Sequence, residues 1–504
     1  MANNFCRDRP LNVLSIKPMT TAPEWIARSV SRLRGSRAAE GAPTAAQAAK
    51  VEVERSTHER LQATLRRGNE ALSPRALRRL LADLQEVVAP RVSEVEGGAR
   101  AQAVAQWYAQ AEPEERRDMW LLMSEQFAPD ATRFKSARLR YEAAAGTEEE
   151  GQAEIHLRRA MVSPRKRLLQ RFAVFPQGMR FLVDLRAELL PALKQDKRLL
   201  ALDAELEQLF STWFDVAFLE LRRLSWDSPA SLLEKLIQYE AVHDIRSWAD
   251  LKNRLDSDRR CYGFFHPRLP NEPLIFVEVA LLHDMARSIT PLLDEQAPAA
   301  DLTRAHTAIF YSISNTQAGL RGVSFGDSLI KRVVETLRTE FAQLKVFATL
   351  SPIPGLRRWV DQQAPALLRA TPARLRQALE RELGAPLAPD AAALLKALDG
   401  VATLDERSAA RRWLLAVAAR YLGRELADDG RPLDGVARFH LGNGARIEQL
   451  NWLADPSPKG LRQSWGLMVN YLYDLRRLDR HRAQLAQGKP PMSHAVQALQ
   501  TDLL

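Results

Sequence analysis

Apolar residues recur with a helical period through much of the first 200 positions of the chain. One stripe follows the i, i+3, i+4, i+7, i+11 spacing of a single helix face: Leu77, Leu80, Leu81, Leu84 and Val88. Ser73-Pro74 before the stripe is typical of an N-cap and a first helical residue, and Ala89-Pro90 ends it. Similar stripes lie at 107–123 and 181–193, so the sequence predicts a region built of helices.

The pattern changes after residue 205 to short β-rich segments bounded by glycine, proline and asparagine. Three strands are predicted from it, over 274–282, 307–314 and 345–350. A helix with one apolar face lies between the last two strands. A hairpin is predicted over 436–452, with Gly442-Asn443-Gly444 as its turn. Helices predicted between 355 and 430 place a helical insertion inside the sheet.

These patterns divide the chain into three parts. Residues 1–48 have weak periodicity and are predicted to be poorly ordered. Residues 49–204 are predicted to form an all-helical domain that serves packing or oligomerisation. Residues 205–504 are predicted to form an α+β domain with a mixed sheet, and this domain holds the candidate chemistry.

Composition and charge describe an ordinary globular protein. The 504 residues are 46% hydrophobic and 27% charged, enough for two or more domains. The 72 basic and 62 acidic residues leave a net charge of +10. This mild excess favours a solvated surface, or else a site for an anionic small molecule, over nucleic acid, for which the sequence carries no motif. No apolar run reaches the roughly 18 residues of a membrane helix.

Cysteine usage indicates the compartment. The two cysteines, Cys6 and Cys261, are far apart, which excludes a disulfide scaffold and a cysteine-rich metal site and fits a reducing compartment. The first residues lack the charged and apolar regions of a signal peptide. A cytoplasmic location is therefore expected.

The segment Arg321–Gly326 follows a predicted strand and precedes a predicted helix. Gly322 and Gly326 would let the backbone approach a ligand closely, and the helix N-terminus offers unpaired N–H groups to a phosphate. A plain strand–turn–helix connection explains the same residues, so the loop alone leaves both interpretations open.

Two further side chains are candidates for chemistry. Ser351 precedes Pro352 at a strand end, where it is either a turn residue or a presented hydroxyl. His440 lies in a predicted strand whose alternation puts it on the face opposite Phe439, as a structural histidine or as a proton donor near pH 7. The histidines show no metal-ligand spacing, and no Ser/His/Asp triad can be assigned.

Taken together, five segments of the second half resemble the malonyl-CoA decarboxylase family. They read RRCYGFFHPRLPNEPL (259–274), FYSISNTQAGLRGVSFGDSLIKRVV (310–334), LSPIPGLRRW (350–359), ARFHLGNGA (437–445) and GLMVNYLYDL (466–475). FLVDLRAELL (181–190), at the end of the helical part, also fits. The order and content match the family through the whole second half, which is more specific than any single segment.

The resemblance implies a helical domain followed by a catalytic domain with a GNAT acetyltransferase-like fold. In that fold a Q/R-x-x-G-x-G/A loop holds the pyrophosphate of coenzyme A. The loop here implies substrate-binding positions at Arg321, Gly322, Val323, Ser324, Phe325, Gly326 and Asp327. Ser324 stands where that pattern has glycine and where other decarboxylases of the family carry glutamate.

The resemblance also implies the activity, which is decarboxylation of malonyl-CoA to acetyl-CoA and CO2 in fatty acid or malonate metabolism. Ser351 and His440 would be the catalytic pair, with Tyr473 as a further active-site residue that binds substrate. The family acts without metal or cofactor and suggests a homo-oligomer formed through the helical domain. Loss of CO2 leaves an enolate, which His440 would protonate while Ser351 hydrogen-bonds the malonyl group.

Two other interpretations stay open. A CoA-dependent acyltransferase of the same fold would share the pyrophosphate loop. A non-enzymatic interaction protein would use the helices of residues 50–200 as its functional part.

Overall fold

The computed structural model of the chain describes residues 72–323, 329–387 and 391–501. Residues 69–504 form one compact unit. The segment 1–48, for which poor order is predicted, lies outside the described residues.

The first part of the described chain consists of helices. They are α1 (Pro74–Val87), α2 (Glu94–Gln110), α3 (Pro113–Glu125), α4 (Ala131–Ala144), α5 (Glu150–Met161), α6 (Pro164–Phe172), α7 (Gly178–Ala192) and α8 (Leu200–Trp213). The side chain of Ser73 caps α1 by accepting from the Ala76 N–H, as the Ser-Pro pair predicts. Helix α8 runs across residue 204, and a domain boundary there stays a prediction.

An eight-stranded mixed sheet follows, and its strands are numbered in chain order. They are β1 (Glu220–Leu224), β2 (Arg259–Phe265), β3 (Pro273–Leu282), β4 (Thr307–Asn315), β5 (Val346–Thr349), β6 (Ser351–Pro352), β7 (Arg446–Asn451) and β8 (Met468–Leu472). The spatial order is β1-β2-β3-β4-β5-β8-β6, with β7 also paired to β8. Only the β4–β5 pair is parallel, while the others are antiparallel.

Helices pack around this sheet and fill the long insertion between β6 and β7. They are α9 (Ala230–Tyr239), α10 (Trp248–Arg254), α11 (Thr290–Leu293), α12 (Leu329–Glu340), α13 (Leu356–Ala370), α14 (Ala373–Leu383), α15 (Ala392–Asp399), α16 (Ala409–Arg424), α17 (Gly435–Gly442), α18 (Pro458–Ser464), α19 (Leu478–Ala486) and α20 (His494–Thr501). The α+β class is confirmed: a helical region precedes a mixed sheet with a helical insertion.

The hairpin predicted over 436–452 is wrong in its first arm. Residues Gly435–Gly442 form helix α17, and only Arg446–Asn451 is a strand. Asp434 caps the helix, since its Oδ1 accepts the N–H groups of Val436 and Ala437 at 3.0 and 2.9 Å. The turn around Asn443 therefore joins a helix to a strand.

Helix α7 of the helical region lies directly against the turn that leads into the loop at 321. The side chain of Arg186 is buried, and its Nη1 donates to the carbonyl oxygens of Gly319 and Arg321 at 2.8 and 2.9 Å. The guanidinium is balanced by Asp203, which accepts from Nε at 2.8 Å. A Cβ at position 319 would lie 1.9 Å from the Val183 carbonyl oxygen, so only glycine permits this approach.

We expect Gly319→Ala to destabilise the protein by about 1–3 kcal/mol or more, because the backbones of α7 and the turn must separate. Gly151→Ala is the matched control, since a Cβ there has no atom within 4 Å. It should change stability by less than about 1 kcal/mol, in the stabilising direction. Chemical denaturation of both variants measures the difference. Equal stabilities would contradict the close contact.

Candidate active site

Ser351 is presented where two parallel strands diverge. The β4–β5 pairing extends from Thr307 opposite Val346 to Phe310 opposite Thr349. Strand β4 continues beyond this point to Asn315, whereas Ser351 pairs with Val469 of β8 instead. The serine comes just after the neighbouring strand, as predicted, but it is buried rather than exposed.

Helix α17 brings His440 to this serine. The Nε2 atom of His440 lies 3.2 Å from the Ser351 Oγ, and its Nδ1 atom lies 2.7 Å from the Tyr473 hydroxyl oxygen. The three sequence candidates for chemistry therefore form one connected group, although 89 residues separate the serine from the histidine.

The network assigns the protons of this group. The Ser351 hydroxyl donates its single proton to Thr349 Oγ1 at 2.8 Å, and so it must accept from His440 Nε2–H. A neutral imidazole then has an acceptor at Nδ1, which receives the Tyr473 O–H. Hydrogen bonds thus run in one direction, from Tyr473 through His440 and Ser351 to Thr349.

Aromatic rings enclose the imidazole. The Tyr471 ring stacks on it with centroids 4.7 Å apart and planes at 24°, and Phe439 meets it edge-on at 5.0 Å. His440 is 3% exposed, and this burial lowers its pKa to about 3. At neutral pH the ring is therefore uncharged.

Both tyrosines beside the imidazole are buried, and burial raises the pKa of Tyr471 and of Tyr473 well above that of a free phenol. They are two residues apart on β8 and at its end, so one stacks on the ring while the other hydrogen-bonds it. The Tyr471 hydroxyl has no hydrogen-bond partner among the described residues. Its backbone N–H donates to Thr349 Oγ1 at 3.1 Å, which ties β8 to the same chain of hydroxyls.

A pocket of about 90 Å³ opens next to Tyr473. Lys331 of α12 and Arg482 of α19 line it, each with an acidic partner on its own helix, and Asn443 at the end of α17 supplies an amide. Because Tyr473 also hydrogen-bonds His440, the pocket is one side chain away from the imidazole.

The predicted phosphate loop is described only at its start. Arg321 is exposed, Val323 is buried, and Gly322 has a φ of +83°, a conformation that favours glycine. Ser324, Phe325, Gly326 and Asp327 lie outside the described residues.

Side chains that could hold a metal ion are not grouped in this region. No cluster of three or more His, Cys, Asp or Glu suited to a metal occurs among residues 72–323, 329–387 and 391–501. Over the same ranges, no helix has the length and apolarity needed to cross a lipid bilayer.

Comparison with known proteins gives matches over most of the chain. The family model of the malonyl-CoA decarboxylase C-terminal domain matches residues 217–503, and that of the malonyl-CoA decarboxylase N-terminal domain matches residues 127–214. The mitochondrial malonyl-CoA decarboxylase of Mus musculus is 39% identical over 348 residues, which cover 64% of this chain and 68% of the relative. The mitochondrial enzyme of Anser anser anser is 38% identical over 339 residues, covering 64% and 66%.

Solved structures of malonyl-CoA decarboxylases also match the chain. The crystal structure of malonyl-CoA decarboxylase from Rhodopseudomonas palustris is 40% identical, with a TM-score of 0.71, and covers 84% of this chain and 99% of that one. The structure from Cupriavidus metallidurans is 44% identical, with a TM-score of 0.68 and coverage of 84% and 100%.

Sequence reasoning missed several residues that shape the site. Thr349, Tyr471 and Asn443 take part through tertiary contacts, which no spacing in the sequence announces. The cap at Asp434 could have been predicted from the sequence, since an acidic residue before a run of helical residues is a typical N-cap signal.

The depressed pKa of His440 predicts how the protein responds to acid. In the unfolded state the histidine has a pKa near 6.5 and binds a proton below that pH. In the folded state His440 stays neutral down to about pH 3. The contribution of the neutral His440 to the free energy of unfolding is therefore fully present above pH 6.5. It is lost as the pH falls towards 3, by about 1.4 kcal/mol for each pH unit.

We expect His440→Gln to lose less stability than the wild type between pH 6 and pH 4. Denaturation across this range measures the slope, with His283→Gln, which changes an exposed histidine, as the control. A variant as acid-sensitive as the wild type would contradict the buried neutral ring.

Proposed function

The chain belongs to the malonyl-CoA decarboxylase family, and we propose that it converts malonyl-CoA to acetyl-CoA and CO2 at Ser351, His440 and Tyr473. The observation that carries the proposal is the continuous hydrogen-bonded chain from Tyr473 to Ser351, beside a pocket that Lys331 and Arg482 line. In our proposal the thioester carrier occupies this pocket, and the hydrogen-bonded chain supplies a proton donor and a hydroxyl to the acyl group.

The substrate carries its own electron sink. When the bond between the α-carbon and the carboxylate breaks, its electron pair moves into the thioester as an enolate, and CO2 leaves. The protein must hold the carboxylate out of the thioester plane, stabilise the enolate oxygen and protonate the α-carbon. In our proposal the Ser351 hydroxyl turns from Thr349 to hydrogen-bond the malonyl group, and His440 supplies the proton.

The proton needed for this step enters with the substrate. A buried ring with a pKa of about 3 is not an acid at neutral pH, but a malonyl carboxylate bound beside it favours the charged form and raises that pKa. After CO2 has left, the enolate keeps the negative charge next to the imidazolium. Transfer of the proton to carbon removes both charges and returns His440 to its neutral form, so each turnover consumes one proton.

The carrier is bound in our proposal by the loop Arg321 to Asp327, whose backbone would hold the pyrophosphate of coenzyme A. The positive φ of Gly322 and the exposed position of Arg321 support this role. The Arg186 contacts to the carbonyl groups of residues 319 and 321 would keep the loop entrance rigid.

We further propose that the protein is a homo-oligomer formed through the helical region. Helices α4 and α5 bury few side chains, and nearby apolar residues are 45–61% exposed: Leu139, Ile155, Met161 and Val162. A cytoplasmic location remains a prediction from the cysteine content.

We expect the purified protein to release CO2 and acetyl-CoA in equal amounts from malonyl-CoA alone, with no acceptor present. Ser351→Ala and His440→Ala should each lower turnover by about 10²–10⁴-fold, because a hydroxyl contact or a proton donor is lost. Coenzyme A binding, measured by calorimetry, should remain near the wild-type value.

Free coenzyme A without CO2 would instead favour an acyltransferase, the second candidate function for this fold. No saturable binding of coenzyme A would favour a non-enzymatic interaction protein. Near-normal turnover in either folded variant would overturn the catalytic assignment.

Proton entry with the substrate gives a separate prediction. Sulfoacetyl-CoA carries a sulfonate in place of the carboxylate, and we expect its binding at pH 7 to take up about one proton for each site. Calorimetry in two buffers with different ionisation enthalpies measures this uptake. Acetyl-CoA, or the His440→Gln variant with sulfoacetyl-CoA, should show none. Binding of the sulfonate without proton uptake would mean that His440 stays neutral in the complex.

A further inference from the structure

We propose that the side-chain carbonyl of Asn443 recognises the amide N–H nearest to the thioester in the substrate's carrier arm. This inference rests on the proposed function and adds a positioning residue to it. Asn443 ends helix α17 three residues after His440 and lines the pocket beside Tyr473.

The nitrogen of the Asn443 side-chain amide has a hydrogen-bond partner, and its oxygen has none among the described residues. Its Nδ2 donates to the Phe439 carbonyl oxygen at 2.8 Å, which fixes the orientation of the group. The residue is 8% exposed, and its Oδ1 is buried with no hydrogen-bond partner among the described residues. A buried carbonyl oxygen left unpaired is costly, and a ligand donor in the adjoining pocket would satisfy it.

The position of Asn443 selects the donor. Tyr473 lines the same pocket, and its hydroxyl contacts His440, so the pocket is one side chain from the proposed proton donor. In a coenzyme A thioester the first N–H donor is the cysteamine amide, two carbons from the sulfur. The adenine and ribose donors are at the far end of the carrier. The geometry therefore favours the cysteamine amide over these.

Charge along the pocket agrees with this direction. Lys331 and Arg482 line it, and the Lys331 side chain is 61% exposed. Both cations also have an acidic partner on their own helix, Glu335 for Lys331 and Asp479 for Arg482. The lining therefore combines cations, which suit the phosphates of the carrier, with the apolar side chains of Leu475 and Leu478, which suit its uncharged arm. Asn443 supplies an uncharged acceptor on this wall, which matches an amide N–H better than a phosphate.

The test uses two short substrates without phosphates. Malonyl-N-acetylcysteamine thioester keeps the amide N–H, and its ester counterpart replaces that N–H with oxygen. The wild type should favour the amide by about 10- to 100-fold in kcat/KM, because the ester leaves Oδ1 facing a second acceptor. In Asn443→Ala the preference should fall close to one.

Lys331→Ala serves as the matched control from the same pocket. It should keep the wild-type preference between the two short substrates and raise KM for malonyl-CoA, because only the full substrate carries phosphates. Thermal unfolding checks that each variant is folded. The comparison in the wild type needs no variant, so it tests the proposal even if Asn443→Ala does not fold.

Three results would overturn the inference. One is equal processing of both short substrates by the wild type, and another is an Asn443→Ala variant that keeps the full preference for the amide. Failure of the wild type to decarboxylate malonyl-CoA would overturn the proposed function as well. Decarboxylation of malonyl-CoA with no amide preference would overturn the role of Asn443 alone.

Discussion

The uncharged, buried imidazole of His440 is the constraint on which the rest of the site depends. Desolvation alone lowers its pKa, with no charged side chain among the described residues contributing to the shift. The ring is held by a phenol on one nitrogen and a hydroxyl on the other, and neither brings a counterion. The fold thus stabilises only the neutral form of the ring, and in the proposed mechanism an anionic substrate supplies the charge that makes the ring an acid.

Several elements of the fold together hold the neutral ring in this orientation. Strand β8 contributes the stacking Tyr471, and Tyr473 follows directly at its end. Thr349 at the end of β5 accepts both the Ser351 hydroxyl and the Tyr471 N–H, so the spacing between two strands also sets the hydroxyl chain. Helix α17 delivers the ring from outside the sheet, and its start is fixed by the buried Asp434.

Much of the architecture could be predicted from the sequence. Helical stripes and β-rich runs gave the order of elements, because each has a period that local spacing reveals. The error at 436–441 has a physical cause. An eight-residue helix covers barely two turns, so its apolar residues also fit an alternating pattern, and an Asn-Gly turn serves a helix–strand joint as well as a hairpin.

The site itself could not be derived from spacing. Local pattern left Ser351 and His440 open between structural and chemical roles, and only the family resemblance paired them and added Tyr473. The members of the two hydrogen-bonded pairs are 89 and 33 residues apart. Thr349 and Asn443 have roles that exist only where strands diverge or a helix end meets a pocket. Such roles are tertiary, and one sequence contains no local signal for them.

In the proposed mechanism, substrate binding and proton transfer depend on different parts of the fold. The helical region contacts the turn before the proposed phosphate loop. Arg186 donates to two carbonyl oxygens of that turn, and Gly319 in the turn allows the two backbones to approach closely. His440 is held from the second half of the chain, by the cap of α17 and the tyrosines of β8 and its end. Under the proposed function, a displaced loop would affect how the carrier is held, and a reoriented ring would affect how the proton is delivered. The helical region would therefore control the first step and the later elements the second.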